Sequence, residues 1–276
     1  MGGLHNTLII IILLGFTQNS FGRQNMSVSS SNDNQELYTE DFIFGKQVRL
    51  KQLKKGYRFG SDAVLLASYI TANKGLLLDL GAGVGAVSLG IAWRNPECQI
   101  VAVEKDPEIG ALLSENIAAN QMSKQVTTEH ISIEHLPADF ESRFDHVIAN
   151  PPFHKNTGTR STNRHRNLAH IGDGLSLTDW LKKAVWACKS KGYVSFMIRA
   201  DRTDEVISFL NAHKIGEVTL YPIWPVHGNP ANRIIISARK NSKTGSILLS
   251  GITLHNTDGS LTSNASLAMK GLGIER

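Results

Sequence analysis

The sequence predicts an α/β protein with a mostly parallel, seven-stranded sheet that is covered by helices on both faces. Two observations support this prediction. Short apolar runs alternate along the chain with amphipathic helical segments, which is typical of a parallel sheet buried on both faces. The last two apolar runs have no helix between them, so the last strand is expected to lie antiparallel to its neighbour.

The elements follow one another in a regular order. The strand candidates are short apolar runs, at Leu76–Leu80, Gln99–Glu104, Val126–His130, Phe144–Asn150, Tyr193–Arg199, Glu217–Ile223 and Arg233–Ala238. Helical spacing of apolar residues predicts helices at Val84–Arg94, Pro107–Asn120, Leu177–Lys189 and Thr203–His213. Ahead of the first strand, Ser61-Asp62 is typical of a helix start, because an apolar run follows it. In such sheets a ligand is expected outside the carboxyl ends of the strands.

Composition sets broad bounds. The 276 residues are 41% hydrophobic, which is enough to bury a core, and the formal charge of +5 weakly indicates a polyanionic partner. Cys98 and Cys188 fit neither a disulfide framework nor a metal-ligand spacing. No apolar run reaches the length that spans a bilayer. The sequence therefore predicts neither a metal site nor a membrane segment.

The N-terminal residues partly match a signal peptide. The run from Leu8 to Phe16 is apolar, and Ser20-Phe21-Gly22 fits a cleavage site, but no Lys or Arg precedes the run. Either the chain is exported, or residues 1–25 are an upstream extension and the working protein begins near Met26. The second interpretation is favoured, and it predicts a cytoplasmic protein. The expected organisation is a disordered or signal-like extension over residues 1–40, a single domain over 41–262 and a tail over 263–276.

A glycine-rich loop follows the first predicted strand. Its sequence is Asp79-Leu-Gly81-Ala-Gly83-Val-Gly85, which differs from the G-x-G-x-x-G of dinucleotide sites and lacks the Lys-Ser/Thr of nucleotide triphosphate sites. Asp79 would repel a phosphate, whereas Glu104 at the end of the next strand can accept hydrogen bonds from ribose hydroxyls. The simpler alternative is that the glycines only permit a tight turn and that Glu104 is a solvated charge at a strand end. Together the loop and the acid favour a nucleoside without a pyrophosphate, such as S-adenosylmethionine with its cationic groups.

The fourth predicted strand ends in Asn150-Pro151-Pro152-Phe153. Prolines fix the backbone and bring no amide donor of their own, so the side-chain oxygen of Asn150 and the carbonyl of Pro151 can face one donor group. An exocyclic amine on a planar ring has two N–H bonds to give, and Phe153 offers a surface on which that ring can stack. The alternative is a Pro-Pro turn capped by the asparagine.

These motifs resemble a known family. LDLGAGVG, VEKDP and NPPF together resemble the class I S-adenosylmethionine-dependent methyltransferases that methylate amino groups, which have a Rossmann-like fold. The stretch GYRFGSDAVLLASYI (Gly56–Ile70) resembles the segment before the glycine loop in the bacterial tRNA(Val) N6-adenine methyltransferases. LTDWLKKA, IRADR and TLHNTDGSLT are similar to later motifs of that family, so the resemblance extends roughly from Glu40 to Leu261.

The resemblance implies a role for each matching residue. Gly81, Gly83 and Gly85 would line the methionine and ribose part of S-adenosylmethionine, Asp79 would neutralise its cationic end, and Glu104 would hold the ribose hydroxyls.

Two further positions are less regular. Asp62 would lie beside the cofactor pocket, or would only cap its own helix. Family members usually carry an acid after the third strand that bonds the adenine amine, but Thr128–Ser132 has no Asp in register, so Ser132 or a backbone group is expected to replace it.

Methyl transfer from a sulfonium is a direct displacement that requires no metal and no covalent enzyme intermediate. The resemblance therefore implies that Asn150 and Pro151 orient the amine, beside Pro152 and Phe153, and that the ten histidines need not be catalytic.

Two basic segments predict an RNA partner. The first covers residues 46–58, and the second, residues 155–170, follows the tetrapeptide directly. The expected substrate is a tRNA, methylated on N6 of an adenine in the anticodon loop, where bases are already unstacked. Alternatives are an rRNA guanine-N2 methyltransferase, a protein glutamine N5-methyltransferase and a non-enzymatic binding protein. The second basic segment has a simpler explanation as a solvated insert.

Overall fold

The computed structural model describes residues 37–56, 58–152 and 175–275. The predicted N-terminal extension up to residue 36, Phe153 and the basic segment 155–170 lie outside the described residues. The strands, β1 to β11 in chain order, are Tyr38–Ile43, Val48–Leu53, Lys74–Leu80, Glu97–Val103, Val126–Glu129, Phe144–Ala149, Cys188–Arg199, Ile215–Val226, Arg233–Lys240, Ile247–Leu248 and Ile252–His255. The helices, α1 to α6, are Ser61–Tyr69, Ala86–Arg94, Pro107–Ala119, Leu177–Ala187, Thr203–Ala212 and Ser263–Met269.

Strands β3 to β11 form one sheet in the order β10-β8-β9-β7-β6-β3-β4-β5, with β11 also paired to β8. Within the group β3 to β7, every pair of neighbouring strands is parallel. By contrast, β9 runs antiparallel to both of its neighbours, β7 and β8. The predicted mostly parallel sheet, with β9 antiparallel to its neighbours, is therefore confirmed. The described sheet has nine strands rather than the predicted seven, because β10 and β11 also pair with β8. β9 lies between β7 and β8. Because β9 is antiparallel to β8, a short connection joins the two strands and no crossover helix is needed.

Helices cover both faces of the sheet, because the side chains of each strand alternate between two apolar clusters. On β3, Leu77 points into the cluster that contains residues of α1, α2 and α6. Leu78 and Leu80 point into the cluster that contains residues of α4 and α5. All three leucines are fully buried, as expected for a parallel strand covered on both sides. No helix of the described residues is long and apolar enough to cross a membrane.

The chain forms several elements that the sequence did not predict. β1 and β2 pair as an antiparallel hairpin, so part of the first basic segment is a strand. β7 begins at Cys188 rather than Tyr193. In the segment expected as a tail, residues 263–276, the structure contains α6, whose Ala265 and Ala268 are fully buried. The Oγ of Ser68 on α1 donates to the carbonyl of Ala268 at 2.6 Å, so α6 packs on α1.

Two asparagines attach the hairpin to α3. Asn116 accepts from the backbone N–H of Lys51 at 2.7 Å and donates to the carbonyls of Lys51 and Val84, both at 2.9 Å. One turn further along α3, Asn120 makes the same pair of bonds with the backbone of Arg49. The i, i+4 spacing places both amides on one face of the helix, where they replace a neighbouring strand for β2.

We expect Asn116→Ala to destabilise the protein by about 1–3 kcal/mol, because it leaves the buried carbonyl of Val84 and partly buried backbone groups of Lys51 without this partner. Asn120→Ala is the matched control, since its bonds to Arg49 are at an exposed position and water can replace them. Urea unfolding of both variants measures the difference. Equal losses of stability in the two variants would contradict the assigned role of burial.

Candidate active site

The register of the sheet brings the predicted site residues to one place. Leu80 at the end of β3 pairs with Val103 of β4 on one side and with Ala149 of β6 on the other. The next residue on each strand is Gly81, Glu104 and Asn150 respectively. Gly81 therefore lies level with both polar side chains, between them, at the carboxyl edge where parallel sheets bind ligands.

The glycine loop needs its glycines for two reasons. Gly81, Gly83 and Gly85 have φ angles of 68°, 58° and 96°, a left-handed region that other residues rarely adopt. A Cβ at Gly81 would also lie 2.6 Å from Cη2 of Trp180, and one at Gly85 would lie 2.7 Å from a methyl carbon of Leu113. The loop is thus a close-packed turn at the carboxyl edge of the sheet.

Glu104 is bound to the glycine loop. One oxygen of its carboxylate accepts from the N–H of Gly83 and the other from the N–H of Asp106, both at 2.9 Å. Burial raises the pKa of the Glu104 carboxyl, and these two backbone bonds oppose the rise. Each carboxylate oxygen has a second lone pair, so the side chain can still accept from two hydroxyl groups. This arrangement suits the predicted contact with a ribose diol.

Asp79 lies within β3 and is only 1% exposed. Its carboxylate accepts from the Oγ of Ser88 in the first turn of α2 at 2.6 Å. Burial raises the pKa of Asp79 from 3.8 to about 7, the hydrogen bonds from Ser88 lower it, and the charge of Glu104 raises it further. The carboxyl group therefore connects β3 to α2, and its predicted contact with the cationic end of a cofactor stays a prediction.

Asn150 presents an unsatisfied acceptor. Its Oδ1 atom is buried and has no hydrogen-bond partner in the part of the chain that the structure describes. Such an atom is costly, because folding removes its water without returning a bond. Pro151 and Pro152 follow immediately and contribute carbonyls but no N–H groups. The arrangement is suited to receive a donor group from a ligand.

Two other predicted residues have protein partners. The carboxylate of Asp62 accepts from Nε of Arg233, the first residue of β9, at 2.8 Å. Asp62 does not cap α1, whose N-cap is Gly60 without a side-chain bond. The Oγ of Ser132 accepts from the N–H of Glu134 and begins a short 3-10 turn. A role of Asp62 or Ser132 toward a cofactor stays a prediction.

Trp180 packs against the glycine loop, a contact that the sequence motifs do not predict. A capping box starts α4: Ser176 accepts from the N–H of Asp179, whose carboxylate accepts from the N–H of Ser176. Trp180 follows in the first turn and is partly buried. The sequence SLTD carries the capping-box pattern, but the contact of Trp180 with Gly81 depends on tertiary packing.

A separate cavity of about 610 Å³ lies at the opposite, amino-terminal edge of the sheet. It is lined by polar residues that include Lys74, His146 and Tyr193. None of the predicted site residues lines it, so it is distinct from the candidate active site.

Sequence comparisons agree with the geometry. A profile of the methyltransferase small domain family matches residues 57–176. A tRNA1(Val) (adenine(37)-N6)-methyltransferase of Haemophilus influenzae strain 86-028NP is 31% identical over 158 residues, which cover 56% of this chain and 67% of that protein. The chain belongs to this methyltransferase family. The predicted family, of class I S-adenosylmethionine-dependent enzymes, is thus confirmed.

Other members of the family extend the match. The enzyme of the same name from Histophilus somni strain 129Pt is 35% identical over 147 residues, and the present chain spans only 61% of its length. The Shewanella sp. MR-7 enzyme is 27% identical over 220 residues, covering 79% of this chain and 92% of that protein.

Solved structures have the same fold. A predicted O-methyltransferase from Agrobacterium tumefaciens superposes with a TM-score of 0.64 at 22% identity, covering 78% of this chain and 98% of that chain. The M. jannaschii TYW2 structure in complex with S-adenosylmethionine has a TM-score of 0.53 at 15% identity, covering 74% and 86%. At these identities the likeness concerns the fold, and it confirms the predicted Rossmann-like class I fold.

The pKa of Asp79 predicts a pH-dependent stability. Because its pKa is about 7 in the folded protein and 3.8 as its ordinary value, the folded state holds the proton more tightly. The proton on Asp79 therefore stabilises the folded state fully at low pH, and this stabilisation is lost as the pH rises to about 7. Asparagine does not ionise, so in Asp79→Asn this pH-dependent loss of stability, on the order of 3–4 kcal/mol, should disappear. Urea unfolding between about pH 5 and pH 8 measures most of it, and parallel curves for both proteins would contradict the assignment.

Proposed function

We propose that this protein transfers a methyl group from S-adenosylmethionine to the exocyclic N6 amine of an adenine in tRNA. The observation that carries the proposal is the buried, unsatisfied Oδ1 of Asn150, placed by register next to the glycine loop. The relatives are named for adenine 37 of tRNA1(Val), and this position is proposed here as well.

The residues present fit the cofactor. The left-handed turn of Gly81, Gly83 and Gly85 has no side chains at these positions, so a ligand can approach its main chain closely. Glu104 keeps acceptor capacity for the two ribose hydroxyls after bonding Gly83 and Asp106. No phosphate-binding lysine follows the loop, so a nucleotide triphosphate is a poor fit. Gly81, Gly83, Gly85 and Glu104 are proposed to bind the cofactor.

S-adenosylmethionine supplies an electrophilic methyl group when bound. The protein supplies the orientation of the acceptor. The Oδ1 of Asn150 and the carbonyl of Pro151 each accept a hydrogen bond from one N–H group of the amine. These two bonds turn the lone pair of the amine nitrogen out of the plane of the base. The fixed backbone of Pro151-Pro152 keeps these acceptors in place, so the chain contributes alignment rather than acid–base chemistry. Stacking of the base on Phe153 remains part of the proposal.

The substrate class follows from the acceptor pair. Two acceptors match an amine with two N–H bonds, which adenine N6, guanine N2 and a glutamine amide all provide. An rRNA guanine or a protein glutamine therefore stays the alternative acceptor, and the names of the relatives favour adenine in tRNA.

The ion pairs among the described residues indicate which basic side chains are available to contact RNA. In the first basic segment, Arg49, Lys51 and Arg58 are paired with Glu40, Glu115 and Asp41. Lys54 and Lys55 are exposed at the end of β2, and no acid is paired with either in the described residues. The preceding Leu53 packs in one cluster with Val84 of the glycine loop. Lys54 and Lys55 are thus proposed to contact tRNA phosphates beside the site, together with residues 155–170. A cytoplasmic location stays a prediction.

The proposal predicts the behaviour of Asn150 variants. Asn150→Ala should lower the methylation rate constant about a hundredfold or more, by analogy with the removal of one aligned polar group in other enzymes. Asn150→Asp should retain more activity, because a carboxylate still accepts. Single-turnover transfer of labelled methyl groups to tRNA, rRNA and release factor measures both rate and substrate. Affinity for S-adenosylmethionine should stay unchanged in both variants. A near wild-type rate for Asn150→Ala, or label in rRNA or protein alone, would contradict the proposal.

The RNA surface gives a second prediction. Lys54→Glu with Lys55→Glu should weaken tRNA binding and reduce its salt dependence, by roughly 0.7–0.9 in the log–log slope for each phosphate that the protein no longer neutralises. The matched control is Lys124→Glu with Lys243→Glu, which changes the net charge equally at the amino-terminal edge of the sheet. Binding is measured by fluorescence anisotropy over a range of salt. Equal weakening in the two double variants would show a general charge effect rather than local binding.

A further inference from the structure

The face of the sheet that α1 covers changes from apolar to polar toward the amino-terminal edge. In the middle of β6, β7 and β9, one apolar side chain from each strand lies in the cluster on this face and is fully buried: Ile148, Met197 and Ile235. Two positions further toward that edge, the same strands carry His146, Ser195 and Ser237. Because alternate residues of a strand share one face, these polar side chains continue the apolar rows.

The three polar side chains are bonded to one another across the strands. Nε2 of His146 lies 2.8 Å from Oγ of Ser195, which in turn lies 2.9 Å from Oγ of Ser237. Both serines are buried, so their hydroxyl groups depend on these bonds to offset the lost hydration. Apolar residues would stabilise a sheet covered on both faces without this cost. The polarity of the patch therefore indicates a role other than packing.

The patch adjoins the cavity of about 610 Å³ at the amino-terminal edge of the sheet, the amino-terminal cavity. His146 and Ser237 line this cavity together with Thr219 of β8. Its volume is within the range of about 300–1,000 Å³ that is typical of small-molecule sites. Because imidazole and hydroxyl groups can each donate or accept, this lining is suited to a ligand that carries hydroxyl groups.

The acids of the cavity are already bound by the protein. The charged lining residues are three lysines and two acids, Lys74, Lys189, Lys191, Asp145 and Glu217. Lys189 is paired with Asp145 at 2.8 Å. Glu217 accepts from the hydroxyl of Tyr193 at 3.0 Å and is also paired with Arg239. The two carboxylates therefore do not compensate the remaining lysines.

Two lysine charges favour an anionic ligand. Lys191 donates to the carbonyl of Asn241, which is neutral, and among the described residues no acid is paired with Lys74 or Lys191. Both side chains are exposed, and they reach the cavity from different strands, β3 and β7. A phosphate monoester carries a charge of about −1.5 to −2 at neutral pH. Its charge therefore matches two lysines better than the single charge of a carboxylate does.

We propose that the amino-terminal cavity binds a small molecule that combines a phosphate monoester with hydroxyl groups, as a sugar phosphate does. Lys74 and Lys191 neutralise the phosphate at the mouth of the cavity, and the side chains of His146, Thr219 and Ser237 bond the hydroxyl groups. The cavity and Asn150 lie at opposite edges of the sheet, so this site is separate from methyl transfer and does not depend on the proposed function.

Calorimetry with ribose 5-phosphate, inorganic phosphate and ribose tests the site. The wild-type protein should bind ribose 5-phosphate more tightly than either of its parts. Lys74→Gln with Lys191→Gln should weaken this binding by about 5- to 30-fold, as expected for two exposed charge pairs. Thr219→Trp keeps both lysines but fills the cavity, so it should abolish the advantage of ribose 5-phosphate over inorganic phosphate. The matched control is Lys124→Gln with Lys270→Gln, which removes two exposed charges outside the cavity and should leave all affinities unchanged.

Four results would overturn the inference. The wild-type protein would fail to bind ribose 5-phosphate, or would bind it no more tightly than inorganic phosphate. The control would weaken binding as much as the cavity lysines do, which would show a general charge effect. The preference for ribose 5-phosphate would persist in Thr219→Trp, which would place the ligand outside the cavity. If urea unfolding shows that Thr219→Trp does not fold, the smaller Thr219→Tyr replaces it. Single-turnover methyl transfer tests the proposed function separately.

Discussion

The parallel pairing of β3 with both β4 and β6 is the constraint on which the site depends. Because the three strands end at the same level, residues far apart in the chain meet at one edge without any long loop to position them. Backbone hydrogen bonds fix that alignment more rigidly than side-chain contacts could. A shift of register by one residue would move the polar side chains away from the edge and turn Leu78 and Leu80 to the opposite face.

The same alignment brings two carboxylates into a poorly solvated region. Asp79 and Glu104 both have raised pKa values, each mainly because of burial, and the charge of Glu104 adds to the rise at Asp79. The protein limits this cost with hydrogen bonds from Ser88, Gly83 and Asp106. Two buried carboxyl groups with raised pKa values suit a cationic ligand better than an anion.

Much of this arrangement is predictable from local patterns. The apolar run at Phe144–Ala149 and the glycine spacing after β3 identify the strand ends, because strand burial and left-handed turns have clear sequence signals. β2 is not predicted although Val48 and Leu50 alternate with Arg49 and Lys51, since charged residues at every second position also fit a solvated basic segment. The contacts of Trp180 with Gly81 and of Arg233 with Asp62 follow from helix packing across the sheet. A single sequence carries no local signal for such contacts.

The packing of α6 on α1 has a consequence for biosynthesis. Ser68 and Ala268 are 200 residues apart in the chain, and Arg94 of α2 donates to the carbonyls of Ala67 and, beyond α6, Gly271. The apolar surface of α1 that α6 covers therefore stays exposed while the ribosome synthesises nearly everything between them. Contacts of such long range form late and leave the nascent chain open to aggregation. The core around α1 therefore becomes complete only after α6 has emerged from the ribosome, when 200 further residues have been synthesised after Ser68.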